Sequence, residues 1–265
     1  MPRLTHRQGW HFDSKQSRFE IIPFMAMHKI GLDSLSKPIS SFKNFNDFFS
    51  RSLSAETRPL HSEGKETVAV APADCRMTMY KSIRDCDKIL VKGTGINLQN
   101  LLCNVDMAAD FSDGSVAVCR LAPCDTHSWN APVKGVQGRI FSIEGEMNAV
   151  HPVARNHDAL HRNKRVVTEI VSNDFGKVGF VAVGGPLVNS VQVEAKPLQE
   201  IARGQRHGCF KFGGSTVVLL FAKQRIGFDS DLLKNSLEPI ETFVKANDRI
   251  GIAMQPQRES AKKKN

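Results

Sequence analysis

The chain has 265 residues, of which 41% are hydrophobic and 24% charged, an ordinary balance for one sizeable globular domain or one domain with a helical extension. The formal net charge of +9 suits an anionic membrane surface, nucleic acid or an acidic ligand, and equally well serves solubility alone. The sequence contains no RNA-binding aromatic platform, zinc finger or basic zipper, so nucleic acid is not a predicted partner.

Targeting and metal-binding patterns are absent from the sequence. The first 15 residues contain no apolar run, and no segment approaches the roughly 18 apolar residues that span a bilayer. We therefore expect an intracellular protein that is cytoplasmic or peripheral on a membrane. The cysteines form no C-x-x-C pair, and His157 and His161 have no accompanying ligand set, so no metal site is predicted.

The first predicted elements are two helices near the N-terminus. Apolar residues recur at helical spacing within residues 18–32, although Pro23 limits where that helix begins. A second apolar stripe runs from Phe45 to Leu53, with Asn44 and Asn46 available as caps. We assign residues 1–60 to an N-terminal helical region.

From Thr67 onward, short β-branched segments separated by Gly, Pro, Asp or Asn predict strands, with a short helix at residues 96–102. The predicted strands are Val68–Val70, Ile89–Val91, Val116–Val118, Val166–Val167, Val178–Val183 and Val217–Phe221. No helix separates most neighbouring strands, which argues against a parallel doubly wound sheet. The predicted fold class is α+β, with N-terminal helices, a mostly antiparallel β body over residues 61–252 and a basic flexible tail over residues 253–265.

The tetrapeptide Gly213-Gly214-Ser215-Thr216 directly precedes the most apolar predicted strand. Glycine permits strained backbone angles and leaves the carbonyl group before Ser215 open to close approach. A serine in this position can attack that carbonyl and end as a pyruvoyl group made by the protein itself. An isolated motif of this kind is more commonly a tight turn before a strand.

The surrounding segments distinguish these two interpretations. Residues 207–221 read H-G-C-F-K-F-G-G-S-T-V-V-L-L-F and resemble the self-processing site of the phosphatidylserine decarboxylases that carry G-G-S-T. Further segments match this family in the same order along the chain. They are residues 42–53, 71–76, 121–127 with 132–133, 163–167 and 175–178.

The resemblance covers about residues 19–251 and implies a reaction and a cofactor. Ser215 would attack the carbonyl of Gly214, which divides the chain into residues 1–214 and 215–265 and leaves a pyruvoyl group on Thr216. The implied activity is decarboxylation of phosphatidylserine to phosphatidylethanolamine with release of CO2. The implied partners are an anionic phospholipid at a membrane surface and a second copy of the chain in a homodimer.

The resemblance also implies roles for individual residues. Asp74 corresponds to the aspartate of the maturation apparatus, while Asp125 and His127 correspond to an aspartate and a histidine that orient and protonate the decarboxylated intermediate. Asn130 stands where family members usually carry a second histidine that activates the serine. An asparagine side chain cannot take a proton near neutral pH.

Asn130 leaves several functional interpretations open. His127, or a histidine distant in sequence such as His151 or His207, would substitute as the base and give slow maturation. Alternatively the chain never matures and is a pseudoenzyme that binds lipid or a partner, which Asn189 in place of a usual glycine also favours. A decarboxylase of a soluble amino acid such as tryptophan remains a third interpretation, because chain ends and loops would set the pocket.

Overall fold

The structure is a computed structural model that describes residues 10–84, 96–146, 159–185, 191–211, 215–238 and 240–255. The α-helices are α1 (Ile21–His28), α2 (Phe45–Phe49), α3 (Leu98–Leu102), α4 (Val105–Asp110), α5 (Ala159–Arg162) and α6 (Ser230–Leu237). Three 3-10 helices cover Lys15–Glu20, Leu32–Ser34 and Ile39–Ser41. The strands are β1 (Val68–Val70), β2 (Cys75–Tyr80), β3 (Ser115–Leu121), β4 (Ser128–Asn130), β5 (Gly135–Ile143), β6 (Arg165–Ser172), β7 (Gly176–Gly184), β8 (Val191–Val193), β9 (Glu200–Ile201), β10 (Arg206–Phe210), β11 (Ser215–Phe221), β12 (Ile226–Phe228), β13 (Thr242–Val244) and β14 (Arg249–Ala253). This arrangement confirms the predicted α+β class.

The N-terminal helices pack around a group of phenylalanines. The Asn44 side chain accepts a hydrogen bond from the backbone N–H of Asp47 at 2.8 Å, so the predicted N-cap is present. Helix α2 ends at Phe49, earlier than the apolar stripe indicated, and the N–H group of Arg51 then turns to the carbonyl of Phe48, three residues back. Leu53 instead lies in an isolated β-bridge with Leu35.

The largest sheet has eight strands in the order β13-β2-β3-β11-β7-β6-β5-β9. Each neighbouring pair is antiparallel, as predicted. Strand β11 lies inside the sheet and every one of its residues is buried. Val217, Leu219 and Phe221 pack into one hydrophobic cluster, whereas Val218 and Leu220 pack into another. Because both faces of this strand are covered, its sequence is a continuous apolar run rather than an alternating pattern.

Two three-stranded sheets complete the body, in the orders β1-β14-β12 and β4-β10-β8. The second of these packs Trp129 and Phe210 into the same cluster as Val217, and the two aromatic ring centroids lie 4.6 Å apart. Gly208 makes this packing possible, because an added Cβ atom would lie 2.4 Å from the Trp129 ring.

Several sequence predictions fall outside the described residues, namely the strand Ile89–Val91 and the positions Gly213, Gly214, His151, His157 and Asn189. In the part of the chain that the structure describes, no helix is both long and apolar enough to cross a bilayer.

Candidate active site

The register of the large sheet brings the ends of several strands together. Arg76 on β2 pairs with Arg120 on β3, and Arg120 pairs with Thr216 on β11. Ser215 lies one position beyond this row, between Leu121 at the end of β3 and Gly184 at the end of β7. The start of β2, the end of β3 and the start of β11 therefore meet at one end of the sheet.

That end of the sheet collects the residues singled out in the sequence. Asp74 immediately precedes β2, Ser215 begins β11, and Asp125 and His127 lie in the segment that connects β3 to β4. Asp74 and Ser215 are 141 positions apart in the sequence, yet the sheet places them at adjoining strand ends. The antiparallel ladder produces this convergence without any special loop.

Ser215 is 2% exposed, and its Oγ atom has no hydrogen-bond partner within the described ranges. Side chains alternate along a strand, so Ser215 shares the face of Val217, which packs in the cluster with Phe210 and Trp129. Thr216 lies on the opposite face, and its hydroxyl is also buried without a partner. Ser215 therefore carries a desolvated hydroxyl group that makes no hydrogen bond to any described residue.

Both sides of the short segment before Ser215 are anchored to the connection between β3 and β4. Upstream, the N–H group of Phe210 donates a 2.7 Å hydrogen bond to the carbonyl of His127. Downstream, Ser215 pairs with Leu121. Residues 211–214 separate these two anchors in the chain, so the residue that precedes them is bonded to His127 and the residue that follows them is Ser215.

The His127 ring is buried and held in one tautomer. Its Nδ1 atom lies 3.0 Å from the carbonyl oxygen of Asp125, and because a carbonyl group only accepts, Nδ1 carries the proton. The Nε2 atom is left with its lone pair, buried and with no hydrogen-bond partner among the residues described. The ring stacks on Phe49 with a centroid distance of 3.9 Å. Burial lowers the pKa of His127 to about 3, and the nearby cation Arg51 lowers it further.

Asp125 stabilises the turn that precedes His127. Its Oδ2 atom accepts hydrogen bonds from the Arg76 guanidinium at 2.6 Å and from the backbone N–H of Ala122 at 2.7 Å. Burial nevertheless raises the pKa of the Asp125 carboxyl above its usual range. The side chain thus fixes the local chain path, while its backbone carbonyl fixes the His127 tautomer.

Asp74 is paired with an arginine in this structure. Arg58 donates to both carboxylate oxygens, at 2.7 Å and 2.5 Å, and the backbone N–H of Ala246 donates at 2.8 Å. The Asp74 side chain is 8% exposed and that of Arg58 is 18% exposed. The carboxylate is therefore held in a nearly buried bidentate ion pair.

Asn130 belongs to the same polar network. Its side-chain N–H donates to the Asn247 carbonyl oxygen at 3.1 Å, and the Asn247 amide donates to the backbone carbonyl of Arg58 at 2.9 Å. Asn247 has a φ of 71°, a left-handed conformation that asparagine tolerates better than most residues. Asn130, Asn247 and Arg58 line a cleft of about 450 Å³ together with Arg203 and Arg206.

His207 has no free ring nitrogen. Its Nδ1 atom accepts from the Trp129 indole N–H at 3.3 Å, so its Nε2 atom is protonated and donates to Gln137 at 2.7 Å. Burial lowers the pKa of His207 to about 4 and keeps the ring neutral. His207 is therefore committed to the core and is excluded as a substitute base. The sequence interpretation that named it is wrong on this point.

Arg58 and Asn247 were not singled out in the sequence. Arg58 lies 16 positions before Asp74, and Asn247 lies 117 positions after Asn130, so no local pattern links them to the site. Asn130 and Asn247 come together because their backbone N–H groups donate to the adjacent carbonyls of Pro72 and Ala71.

The two buried histidines predict acid sensitivity of the fold. Both have a pKa below the ordinary value near 6.5, so between pH 6.5 and 5 the unfolded chain binds more protons than the folded chain. The free energy of unfolding should fall as pH falls, by up to about 1.4 kcal/mol per pH unit for each histidine. Urea unfolding at pH 7.5, 6.5 and 5 measures this loss. In the His207→Gln variant, the free energy of unfolding should depend less steeply on pH, because one of the two histidines no longer contributes. An unchanged pH dependence would contradict the neutral state of His207 in the folded protein.

Comparisons with known proteins agree with the resemblance seen in the sequence. The family model described as phosphatidylserine decarboxylase matches residues 45–252. The chain is 39% identical over 257 residues to "Phosphatidylserine decarboxylase proenzyme 3" of Schizosaccharomyces pombe, covering 96% of the chain and 27% of that protein. It is 38% identical over 254 residues to "Phosphatidylserine decarboxylase proenzyme 2" of Komagataella phaffii, covering 94% of the chain and 25% of that protein.

A bacterial relative is covered more completely. The chain is 38% identical over 239 residues to "Phosphatidylserine decarboxylase proenzyme" of Chlamydia muridarum, covering 89% of the chain and 79% of that protein. The chain thus spans about a quarter of the length of the first two relatives and most of the length of the third. From the match to the family model and from these identities, the chain belongs to the phosphatidylserine decarboxylase family.

Proposed function

We propose that this chain is the precursor of a pyruvoyl-dependent decarboxylase that cleaves itself between Gly214 and Ser215 and then acts on phosphatidylserine. The observation that carries the proposal is the buried hydroxyl of Ser215, which has no partner among the described residues and follows paired glycines at the start of a central strand. A buried hydroxyl without a hydrogen bond is costly to keep for stability alone. The relatives' printed description as proenzymes supports a precursor that requires cleavage.

Self-cleavage would use the backbone of this chain as its own substrate. The Ser215 hydroxyl attacks the carbonyl of Gly214, and the amide becomes an ester. Elimination releases the carboxyl group of Gly214 and leaves dehydroalanine at position 215, which water converts into a pyruvoyl group with release of ammonia. Pairing with Leu121 and Gly184 on either side holds Ser215 in place during these steps.

The residues around Ser215 fit a pyruvoyl group at this position. When formed, such a group supplies a ketone that condenses with an amine and draws electrons away as CO2 leaves. His127 would hold and move a proton at Nε2, and the Asp125 carbonyl keeps that nitrogen unprotonated at rest. Since burial lowers the pKa of His127 to about 3, the ring must take up a proton before it can give one to the substrate carbon.

The sheet topology would keep the two products of cleavage together. Residues after Ser215 supply β11 between β3 and β7, β13 beside β2, and β14 beside β1. The small chain is thus interleaved with the large chain through four strand pairings, which three of its strands make. Its removal would expose the fully buried strand β11, which strongly disfavours dissociation.

The N-terminal surface supports a phospholipid substrate. Large apolar side chains are exposed there, with Phe19 84% exposed and Met27 76% exposed. An apolar patch on a chain with a net charge of +9 favours contact with an anionic membrane surface. The same surface would be of no use to a decarboxylase of a soluble amino acid.

The alternative function is that of a homologue which never cleaves itself and binds lipid or a partner. Asn130 is the observation that favours it, because its amide cannot accept the serine proton. The two functions differ in the covalent state of the chain.

Intact mass of the wild-type protein purified from cells tests the proposal. We expect two fragments that meet at Gly214 and Ser215, with a hydrazine-reactive carbonyl group on the smaller one. Phosphatidylserine vesicles should yield CO2, whereas free tryptophan should not. A single uncut species without a reactive carbonyl would instead establish the non-cleaving homologue.

A further inference from the structure

We propose that His127 is the general base that activates Ser215 for self-cleavage, in addition to its later work on the substrate. This inference rests on the self-cleavage proposed above and assigns a residue to its first step. It follows from which proton acceptors near the site are already engaged and from the unpaired nitrogen lone pair of His127 in the part of the chain that the structure describes.

Three other candidates near this end of the sheet are committed to other partners. Asp74 accepts two hydrogen bonds from Arg58 and one from Ala246, so both carboxylate oxygens are held in an ion pair with the guanidinium group. His207 uses one ring nitrogen as an acceptor and the other as a donor. Asn130 has no basic group, and it is engaged with Asn247 at the cleft.

The direction of the Asn130 side chain also separates it from Ser215. Trp129 is buried in the cluster that contains Phe210. The same cluster contains the β11 residues that share a strand face with Ser215, beginning with Val217. Adjacent residues of a strand project to opposite faces, so Asn130 projects away from that cluster and towards the cleft.

His127 has the free lone pair that the step needs, and two contacts link it to the chain just before Ser215. Its backbone carbonyl accepts a hydrogen bond from the N–H of Phe210, five residues before Ser215 in the chain. Its ring packs edge-on to Phe210 at 6.5 Å between centroids, and Phe210 packs in the same cluster as Val217, which shares a strand face with Ser215. The Nε2 atom of His127 and the Oγ atom of Ser215 are both buried and both without a partner in the described part of the chain.

The surroundings keep His127 available as a proton acceptor. The charged residues that face it are Arg51, which follows α2, and Asp125 in the preceding turn, while α2 and β10 present Phe49 and Phe210. Because burial lowers the pKa of His127 to about 3, the imidazole is neutral throughout the range from pH 5 to 8. The same low pKa makes it a weak base, so maturation should be slow.

The proton balance closes with one base. His127 Nε2 takes the hydroxyl proton as Ser215 Oγ bonds to the Gly214 carbonyl carbon, and it returns that proton to the Ser215 nitrogen as the C–N bond breaks. It then takes the Ser215 Cα proton as the ester C–O bond breaks, and it gives this proton to the departing Gly214 carboxylate. Water hydrolyses the remaining enamine, with release of ammonia.

Cleavage of freshly translated full-length chain tests this assignment, with fragment formation followed on gels over time. His127→Gln should cleave at least about 100-fold more slowly than wild type, the usual contribution of a positioned base. The matched control His207→Gln replaces another buried neutral histidine and should cleave within threefold of wild type. Circular dichroism and thermal unfolding check that both variants fold.

The possible results separate this inference from the proposed function. A wild-type chain that stays uncut overturns both. A wild-type chain that is cut, together with a His127→Gln chain that cleaves within threefold of its rate, overturns the inference alone.

Should His127→Gln fail to fold, the pH profile of wild-type cleavage decides. We expect a flat rate from pH 5 to 8, and a fall of about tenfold per pH unit below pH 6.5 overturns the assignment. Asn130→His cleaving tenfold or more faster than wild type would return the base to position 130, with the same consequence.

Discussion

Ser215→Ala is expected to leave the chain at full length and to abolish decarboxylation. Without the hydroxyl group no ester forms, so neither the second chain end nor the reactive carbonyl is made. The loss of CO2 release should be at least about 10⁶-fold, the lower end of enzymatic rate enhancements. Intact mass and CO2 release from phosphatidylserine vesicles measure the two effects.

The structure supplies sharp controls for this result. The Oγ atom of Ser215 is buried and makes no hydrogen bond to any described residue, so its removal should not lower the free energy of unfolding and should raise it by about 1 kcal/mol. Thr216→Val removes the adjacent hydroxyl, which is also buried and without a described partner but lies on the other face of β11. That variant should still cleave. A Ser215→Ala chain that is cut would contradict the proposed chemistry, since no other residue then supplies the oxygen.

The sequence was informative where the physical cause is local. An unbroken apolar run predicted the buried strand β11, and the structure confirms it. The Asn44 cap was predicted for the same reason, because its hydrogen bond spans only three residues. The end of α2 at Phe49 was not predicted, because the apolar stripe continues to Leu53, which lies in a β-bridge with Leu35 instead.

The state of each polar side chain depends on distant contacts and could not be predicted in this way. The His127 sequence context suggested chemistry, but its burial against Phe49 and Phe210 arises from packing between separate elements. Likewise, His207 resembles a free base in the sequence, and only the neighbouring strands reveal that Trp129 and Gln137 occupy both nitrogens. Register and burial, rather than residue type, decide which histidine is available.

Asn130 is part of the polar network that lines the cleft. Asn130 donates a hydrogen bond to Asn247, which donates one to the backbone carbonyl of Arg58. The Arg58 guanidinium group forms an ion pair with Asp74. An amide at position 130 suits this polar network, because it donates a hydrogen bond to Asn247 without adding a charge beside the guanidinium group of Arg58. The family resemblance implies that Asp74 takes part in maturation. In this structure it would act by holding Arg58, and with it the polar network, in place.

Asp74→Asn is expected to lower the free energy of unfolding by about 3 kcal/mol, because it leaves the nearly buried Arg58 cation without its counter-charge. The matched control is Asp113→Asn, whose carboxylate pairs with Arg84 and Lys223 at the surface, where both cation side chains are more than half exposed. That change should cost less than about 1 kcal/mol. Urea unfolding at pH 7.5 measures both variants, and equal losses would mean that the buried pair contributes nothing beyond a surface pair.

The double variant Arg58→Met with Asp74→Asn separates an anchoring role from a chemical one. Removing the cation together with its counter-charge should recover most of the lost stability, since an apolar side chain of similar length leaves no unpaired charge in the core. With Asp74 as an anchor, the double variant should regain self-cleavage along with stability, as judged by the fraction of chain cut after one hour. A stable double variant that stays uncut would show that the Asp74 carboxylate itself takes part in maturation.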